Sequence, residues 1–216
     1  GADGATHAGS FDLAYLCCLP NVVVMAPSDE SELAKMVITA SKHNDGPIFC
    51  RYPRGEGEGV DITDIAQDVK IGKGRIIKKG RDLAILALGT RVGSALKVAD
   101  HLLQYNLKIT VADARFAKPI DTQLVEKLWN EHQKLIIIEE GSAGGFSSHC
   151  LHYLSSKDLL NKHDKEIKCL TMPDNFQDHA SQKEQLARAG LDTDGLTKVV
   201  YKMISLSNFK NKSITN

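Results

Sequence analysis

The stretch DLAILALG, residues 82–89, is the strongest indication of fold in this chain. It is an almost unbroken apolar run between an aspartate and a glycine, which is typical of a strand covered on both faces. The residues that follow it place apolar side chains at helical spacing, namely Val92, Ala95, Leu96, Ala99, Leu102 and Leu103. A buried strand followed by an amphipathic helix predicts an α/β domain with a parallel sheet.

The same alternation continues toward the carboxyl end. Further strands are predicted at residues 107–114, 135–140 and 167–173, with helices near 122–132 and 145–155 and two short helices at the end. The stretch IGKGRIIKKG, residues 71–80, predicts an edge strand that leads into a turn. A doubly wound sheet with helices on both faces is the expected packing.

A second α/β pattern lies upstream of these elements. NVVVMAP (21–27) and PIFCRYP (47–53) predict two buried strands. Between them, Ser28 is expected to cap a helix whose apolar stripe contains Leu33, Met36, Val37 and Ala40. A further short helix is expected from about Ala8 to Cys18. Strand, helix and strand together predict a βαβ unit.

The glycine-rich, acidic stretch GEGEGVDITDIAQ, residues 55–67, separates the two patterns. It has no periodicity long enough for a core element, which indicates a linker between domains. We therefore expect a first domain at residues 1–60, a linker at 61–72, a second domain at 73–206 and a frayed polar tail at 207–216.

Composition excludes several classes of function. Lysine and arginine number 27, and aspartate and glutamate also number 27, so no net field favours nucleic acid. No apolar run approaches the roughly 20 residues that span a bilayer. The five cysteines lack CxxC spacing, which predicts reduced thiols, a cytosol-like compartment and no cysteine metal site.

The opening GADGATHAGS, residues 1–10, contains the first candidate site residues. Gly4 and Gly9 allow close backbone approach to a ligand, and Thr6 is expected to cap the helix near Ala8. His7 would then lie in the first helical turn as a neutral imidazole that donates a hydrogen bond or moves a proton. Asp3 could orient it. The alternative is an ordinary glycine-rich turn with a solvated histidine.

RYPRG, residues 51–55, is the second candidate, because it follows the carboxyl end of a predicted strand, where α/β sheets bind ligands. Arg51 and Arg54 offer fork-shaped donors that suit a phosphate or carboxylate. The alternative is a pair of surface arginines that balance the acidic linker.

Two further patterns are weaker. EEGSAGGFSS, residues 139–148, joins a strand to a helix but does not satisfy GxGxxG, which favours a close-packed turn over a nucleotide site. His149 and His152 fall three apart without a third ligand at defined spacing, so we expect no metal site there.

Seven stretches in order resemble the 1-deoxy-D-xylulose-5-phosphate synthase family, which is transketolase-like and depends on thiamine diphosphate. The resemblance runs from Gly1 to about Ile204. The stretches are DGATHAGSFDLAYL (3–16), PNVVVMAPSDESEL (20–33), NDGPIFCRYPRG (44–55), ALGTRVGSALKVAD (87–100), VADARFAKPID (111–121), IIIEEGSAGGFSS (136–148) and MPDNFQDHASQKEQLARAGLD (172–192).

The resemblance implies an α/β chain with part of a pyrimidine-binding domain, followed by a complete transketolase C-terminal domain. It implies an enzyme that condenses pyruvate with glyceraldehyde 3-phosphate and releases carbon dioxide, using thiamine diphosphate and Mg²⁺. His7 resembles the family's active-site histidine, Asp3 its companion acid, and Arg54 the arginine that binds the substrate phosphate. Arg51 is expected to be structural support.

The resemblance also implies a homodimeric, cytoplasmic bacterial enzyme, with a plastid-type organelle left open, and no nucleic-acid or membrane partner. The chain lacks the family's cofactor-binding and Mg²⁺-binding residues, so we expect a carboxyl-terminal fragment that is inactive alone. The alternatives are a protein like the β subunit of a 2-oxoacid dehydrogenase, a non-catalytic dimerisation module, and a nucleotide-binding domain.

Overall fold

The computed structural model describes residues 1–62, 67–161 and 164–204. The first stretch opens with a 3-10 turn, Gly4–His7, and its elements are α1 (Asp12–Cys17), β1 (Val23–Met25), α2 (Glu30–Lys42) and β2 (Ile48–Cys50). Strands β1 and β2 pair in parallel. This is the strand–helix–strand unit that the apolar pattern predicts.

The second and third stretches together form a five-stranded sheet with the order β3 (Arg75–Lys78), β5 (Ile109–Asp113), β4 (Leu83–Ala87), β7 (Lys134–Ile138) and β8 (Glu166–Leu170). Strand β3 is an antiparallel edge strand, as predicted, and the other four strands are parallel. The elements are β3 (Arg75–Lys78), β4 (Leu83–Ala87), α3 (Arg91–Leu103), β5 (Ile109–Asp113), β6 (Phe116–Lys118), α4 (Thr122–Glu131), β7 (Lys134–Ile138), α5 (Phe146–Ser156), β8 (Glu166–Leu170), α6 (Gln182–Ala189) and α7 (Thr193–Ile204).

Strand β4 lies at the centre of the sheet and is buried along its whole length. Leu83 and Ile85 belong to a core with α3 and α7, whereas Leu86 faces a core that contains Trp129 of α4 and Phe146 of α5. Helices therefore cover both faces, which confirms the doubly wound α/β architecture. None of the described helices is long and apolar enough to cross a membrane.

The first helix differs from its prediction. It begins at Asp12, not near Ala8, and Thr6 caps no helix. The Thr6 hydroxyl instead donates to the Asp3 carbonyl, 3.3 Å away, inside the 3-10 turn. His7 closes that turn, so the expected position of His7 at the positive end of a helix is wrong.

Helix α2 also begins one residue later than expected, because Asp29 and not Ser28 is the cap. Its carboxylate accepts a hydrogen bond from the Glu32 amide at 2.8 Å. The buried face of α2 carries Glu32, Met36 and Thr39, whereas Val37 is 56% exposed. The apolar stripe predicted for this helix is therefore partly wrong.

Strand β6 joins the two parts of the chain. It pairs antiparallel with β1, with Val24 opposite Lys118 and Met25 opposite Phe116. The residues of β6 follow those of the second sheet in sequence, yet they extend the first sheet to the order β2–β1–β6. The sequence pattern predicts no strand here, because three residues are too short to show alternation.

A buried ion network lies beside this strand. Arg115 donates from Nε and Nη2 to Glu32 of α2, at 2.7 and 3.0 Å, and Arg75 lies 3.1 Å from the same carboxylate. Burial opposes ionisation of Glu32, but Arg115 and Arg75 outweigh it and lower the pKa. Burial raises the pKa of the neighbouring Asp113 from 3.8 to about 6.

The tail expected at 207–216 lies outside the described residues, as do residues 63–66 of the expected linker.

Candidate functional site

A cleft of about 530 Å³ opens where the two parts of the chain meet. Three stretches line it, together with Glu140 of the second domain: the loop at residues 1–12, the segment 51–55 that follows β2, and part of the segment 172–185 between β8 and α6. The first two come from the amino-terminal part and the third comes from the second domain. The cleft is therefore completed only when both parts of the chain are folded together.

The three predicted site residues, His7, Asp3 and Arg54, all line this cleft. Arg54 Nη1 donates to Asp3 Oδ2 at 2.5 Å. The side chain of Arg54 is 84% exposed, so its guanidinium can reach a ligand without prior unfolding. An exposed guanidinium with N–H groups beyond its one carboxylate contact suits a phosphate dianion.

The expected contact between Asp3 and His7 is absent from the described hydrogen bonds. His7 Nδ1 lies 2.9 Å from the Thr6 hydroxyl, and the Asp3 carboxylate is instead paired with Arg54. With Nδ1 engaged by Thr6, Nε2 of His7 is the ring nitrogen left to meet a ligand. Asp3 thus orients the arginine, and Thr6 orients the histidine.

Arg51 has a different environment from Arg54, although both follow β2. Its Nε donates to Asp12 Oδ2 at 3.1 Å, and its Nη2 donates to the Glu140 carbonyl at 2.6 Å. These contacts connect the end of β2 to α1 and to Glu140, which lies just after β7. These contacts support the expected structural role of Arg51, whose side chain also lines the cleft.

The loop EEGSAGG, residues 139–145, does not form an anion site, because a carboxylate of the chain occupies the place where an anion would bind. The buried Glu139 carboxylate accepts from the Phe146 amide at 3.0 Å and from the Ser147 amide and hydroxyl at 2.7 Å. It therefore occupies the start of α5, where a phosphate would bind. Burial raises the pKa of Glu139, against these hydrogen bonds. The close-packed turn is confirmed.

Side chains that could bind a metal do not cluster in the part of the chain that the structure describes. Within residues 1–62, 67–161 and 164–204, no three His, Cys, Asp or Glu side chains converge as a metal site. All five cysteines are unpaired, and burial raises the pKa of Cys17 and Cys50 to about 11, so these two stay protonated thiols. Their environment suits core packing better than metal binding.

The residues that the second domain contributes to this cleft were not predicted as site residues. Met172, Gln177, Ser181, Gln182 and Gln185 line it beside the amino-terminal loop. The stretch MPDNFQDHAS was noted only as part of the resemblance, since nothing local in it indicates a ligand. Its role depends on a contact between residues more than 160 positions apart in sequence.

Comparison with known proteins identifies the family. Residues 72–196, more than half of the chain, match the transketolase C-terminal domain. The chain belongs to the transketolase family. Residues 1–58 match the transketolase pyrimidine-binding domain, so the order of the two domains is that of the family. Enzymes of this family depend on thiamine diphosphate.

Solved transketolase structures share the fold of this family member. A split-gene transketolase, described as an inactive β4 tetramer, superposes with a TM-score of 0.77 at 24% identity, covering 94% of this chain and 63% of that one. A point mutant of the Pichia stipitis transketolase gives a TM-score of 0.68 at 19% identity, covering 96% of this chain and 29% of that one. The chain thus spans less than two thirds of either relative.

Proposed function

We propose that this chain supplies part of the active site of a 1-deoxy-D-xylulose-5-phosphate synthase, which condenses pyruvate with glyceraldehyde 3-phosphate and releases carbon dioxide. The observation that supports this is the meeting of His7, Asp3 and Arg54 in one cleft at the junction of two transketolase domains. The resemblance of the surrounding motifs to the synthase family selects this reaction among those of transketolase-like enzymes.

In this proposal Arg54 binds the phosphate of the aldehyde and so orients the carbonyl for reaction. Binding energy from a remote, unreactive phosphate can lower the barrier at the reacting carbon. Asp3 keeps the guanidinium directed along the cleft wall. The Thr6 hydroxyl donates to the Asp3 carbonyl, so a neutral His7 donates from Nδ1 to the Thr6 oxygen and leaves Nε2 as an acceptor. In this proposal Nε2 takes a proton from a reacting hydroxyl and later returns it.

Thiamine diphosphate and Mg²⁺ belong, in this proposal, to residues of the complete enzyme outside this chain. The chain's own part of the site is the phosphate contact and the imidazole. We further propose that the complete enzyme is a homodimer.

The phosphate contact is tested by calorimetry with glyceraldehyde 3-phosphate and with unphosphorylated glyceraldehyde. We expect the chain to prefer the phosphorylated aldehyde, and Arg54→Ala to remove about 1.5–3 kcal/mol of that preference, because a charge-assisted contact is lost. The control is Arg81→Ala, which removes an arginine that is also exposed and lies outside the cleft. Equal affinity of the chain for the two aldehydes, or unchanged preference in Arg54→Ala, would contradict the assignment.

The proposal also predicts no turnover by the chain alone. With pyruvate, glyceraldehyde 3-phosphate, thiamine diphosphate and Mg²⁺, we expect no product by mass spectrometry, because the cofactor-holding residues of the family are not among those of this chain. A complete synthase assayed in the same mixture is the positive control. Product formation by this chain would show that its own residues suffice.

A further inference from the structure

The segment 172–185 of the second domain lies against the loop that carries Asp3 and His7. It is fixed at both ends by contacts of its own. The Met172 amide donates to the Gly141 carbonyl at 2.8 Å, and Ser181 forms a capping box with Glu184 at the start of α6. Between these anchors, the segment follows the rim of the cleft.

Aromatic packing joins the segment to the loop. The ring of Phe176 meets that of Phe11 edge to face, with centroids 5.4 Å apart and planes at 71°. Phe176 is nevertheless 67% exposed, so most of its apolar surface is not used to stabilise the second domain. The position of the Phe176 ring is explained by its contact with Phe11 of the amino-terminal loop.

A steric contact fixes the start of the 3-10 turn. Gly4 has φ +65°, and a Cβ placed on it would lie 2.6 Å from the ring of His179. The imidazole of His179 therefore lies directly against the Gly4 backbone, closer than any side chain on residue 4 would allow. The Gly1 carbonyl adds a backbone contact, since it accepts from the Ala180 amide at 3.5 Å.

We propose that Phe176 and His179 are positioning residues, which hold the turn Gly4–His7 so that His7 and Asp3 face Arg54. A four-residue turn fixes too few hydrogen bonds to hold itself in one geometry. It needs support from outside, and the segment 172–185 provides it. Phe176 and His179 are not among the residues that line the cleft, so they act on the site through the turn and not through the substrate. This inference rests on the proposed function of the cleft.

The aromatic contact is tested with Phe176→Ala, and Phe176→Tyr is the conservative variant. In Phe176→Ala we expect amide hydrogen exchange at residues 2–9 to rise about 2- to 10-fold, from the loss of one aromatic pair. The His7 ring signals in the NMR spectrum should shift, and Phe176→Tyr should restore both. Tyr105→Ala is the control, because it removes edge-to-face contacts with His101 and Tyr201 away from the cleft.

The steric contact is tested with Gly4→Ala against Gly190→Ala. Both glycines have positive φ, +65° and +70°, but a Cβ on Gly190 meets nothing within 4 Å. The two substitutions therefore introduce similar backbone strain, and only Gly4→Ala should shift the NMR signals of the His7 ring. His179→Ala, with glycine kept at residue 4, should also move the His7 signals, because the ring that supports the turn is gone.

The binding of glyceraldehyde 3-phosphate by each variant separates this inference from the proposed function. Faster exchange together with weaker binding in Phe176→Ala supports both. Faster exchange in that variant, when the wild-type chain shows no preference for the phosphorylated aldehyde, supports the positioning role and contradicts the proposed function. Unchanged exchange in Phe176→Ala, or a Gly4→Ala spectrum that matches Gly190→Ala at His7, overturns the positioning role whatever the binding shows.

Discussion

Two arginines three residues apart show how strongly the surroundings decide what a side chain does. Arg51 is mostly buried and forms two hydrogen bonds, to the Asp12 carboxylate and the Glu140 carbonyl. Arg54 is exposed and pairs with Asp3 alone among the described residues. An exposed ion pair contributes little to folding because water and salt screen it. Arg51 therefore stabilises the fold, whereas the guanidinium of Arg54 is exposed enough to contact a ligand.

Substitution of the two arginines should separate these roles. Arg51→Ala is expected to lower the free energy of unfolding by about 2–4 kcal/mol, since it leaves Asp12 and the Glu140 carbonyl without their partner in a partly buried place. Arg54→Ala should change that free energy by less than about 1 kcal/mol. Urea unfolding followed by the fluorescence of Trp129 measures both. Equal losses for the two variants would contradict the distinction.

At the scale of elements, the junction of β7 and α5 explains why the glycines of residues 141–145 are needed. The Glu139 carboxylate turns back to accept hydrogen bonds from the first amides of α5. A Cβ on Gly141 or Gly145 would lie 2.8 or 2.5 Å from Glu139 Oε2. Glycine is therefore required at these two positions by close packing, and not by binding of a nucleotide.

Gly145→Ala tests this explanation. The added methyl group would collide with Glu139 Oε2 and lie 3.2 Å from Leu13 Cβ, so we expect a loss of about 1–3 kcal/mol in the free energy of unfolding. Gly9→Ala is the control, because a Cβ there meets nothing within 4 Å. The measurement is the urea midpoint at constant slope. A loss no larger than that of Gly9→Ala would show that the junction relaxes freely.

At the scale of the whole molecule, the two parts of the chain are joined by shared structure. Strand β6 of the second part completes the sheet of the first, and Glu32 of the first part binds Arg115 and Arg75 of the second. Leu13 and Cys17 of α1 also pack into the core under α4 and α5. The cleft between the parts can keep its geometry because the junction beneath it is packed and charge-balanced.

The junction should give the protein a characteristic dependence on pH. Asp113 has its pKa raised to about 6 in the folded protein, so the folded state holds a proton that the unfolded chain has released above about pH 4. Stability from this group should therefore fall as the pH rises from about 4 to about 6, by up to about 3 kcal/mol, and stay level above that.

The comparison that isolates this effect is wild type against Asp113→Asn. The difference in free energy of unfolding, wild type minus variant, should decrease between pH 4 and 6 in urea titrations. Asp100→Asn, on the exposed side of α3, is the control. A difference that is constant with pH, or that rises, would contradict the raised pKa.

The order of apolar residues along the chain is enough to predict the architecture of the second domain and the position of Arg51 and Arg54. Strand β4 and helix α3 could be predicted because burial on both faces, or on one helical face, leaves a local period in the order of apolar residues. Arg51 and Arg54 could be placed at the end of β2 for the same reason. The glycines of GADGATHAGS, residues 1–10, indicated a loop around His7, but they did not predict the 3-10 turn at Gly4–His7.

Which distant residues come into contact is set by the folded chain and not by its local sequence. Strand β6, the buried Glu32 on α2, the pairing of Asp3 with Arg54, and the packing of His179 on Gly4 each depend on a partner far away in sequence. A charge is buried only where an opposite charge meets it, and a three-residue strand forms only where another strand supplies its hydrogen bonds. Such partners leave no period in the local sequence, so they appear only once the chain has folded.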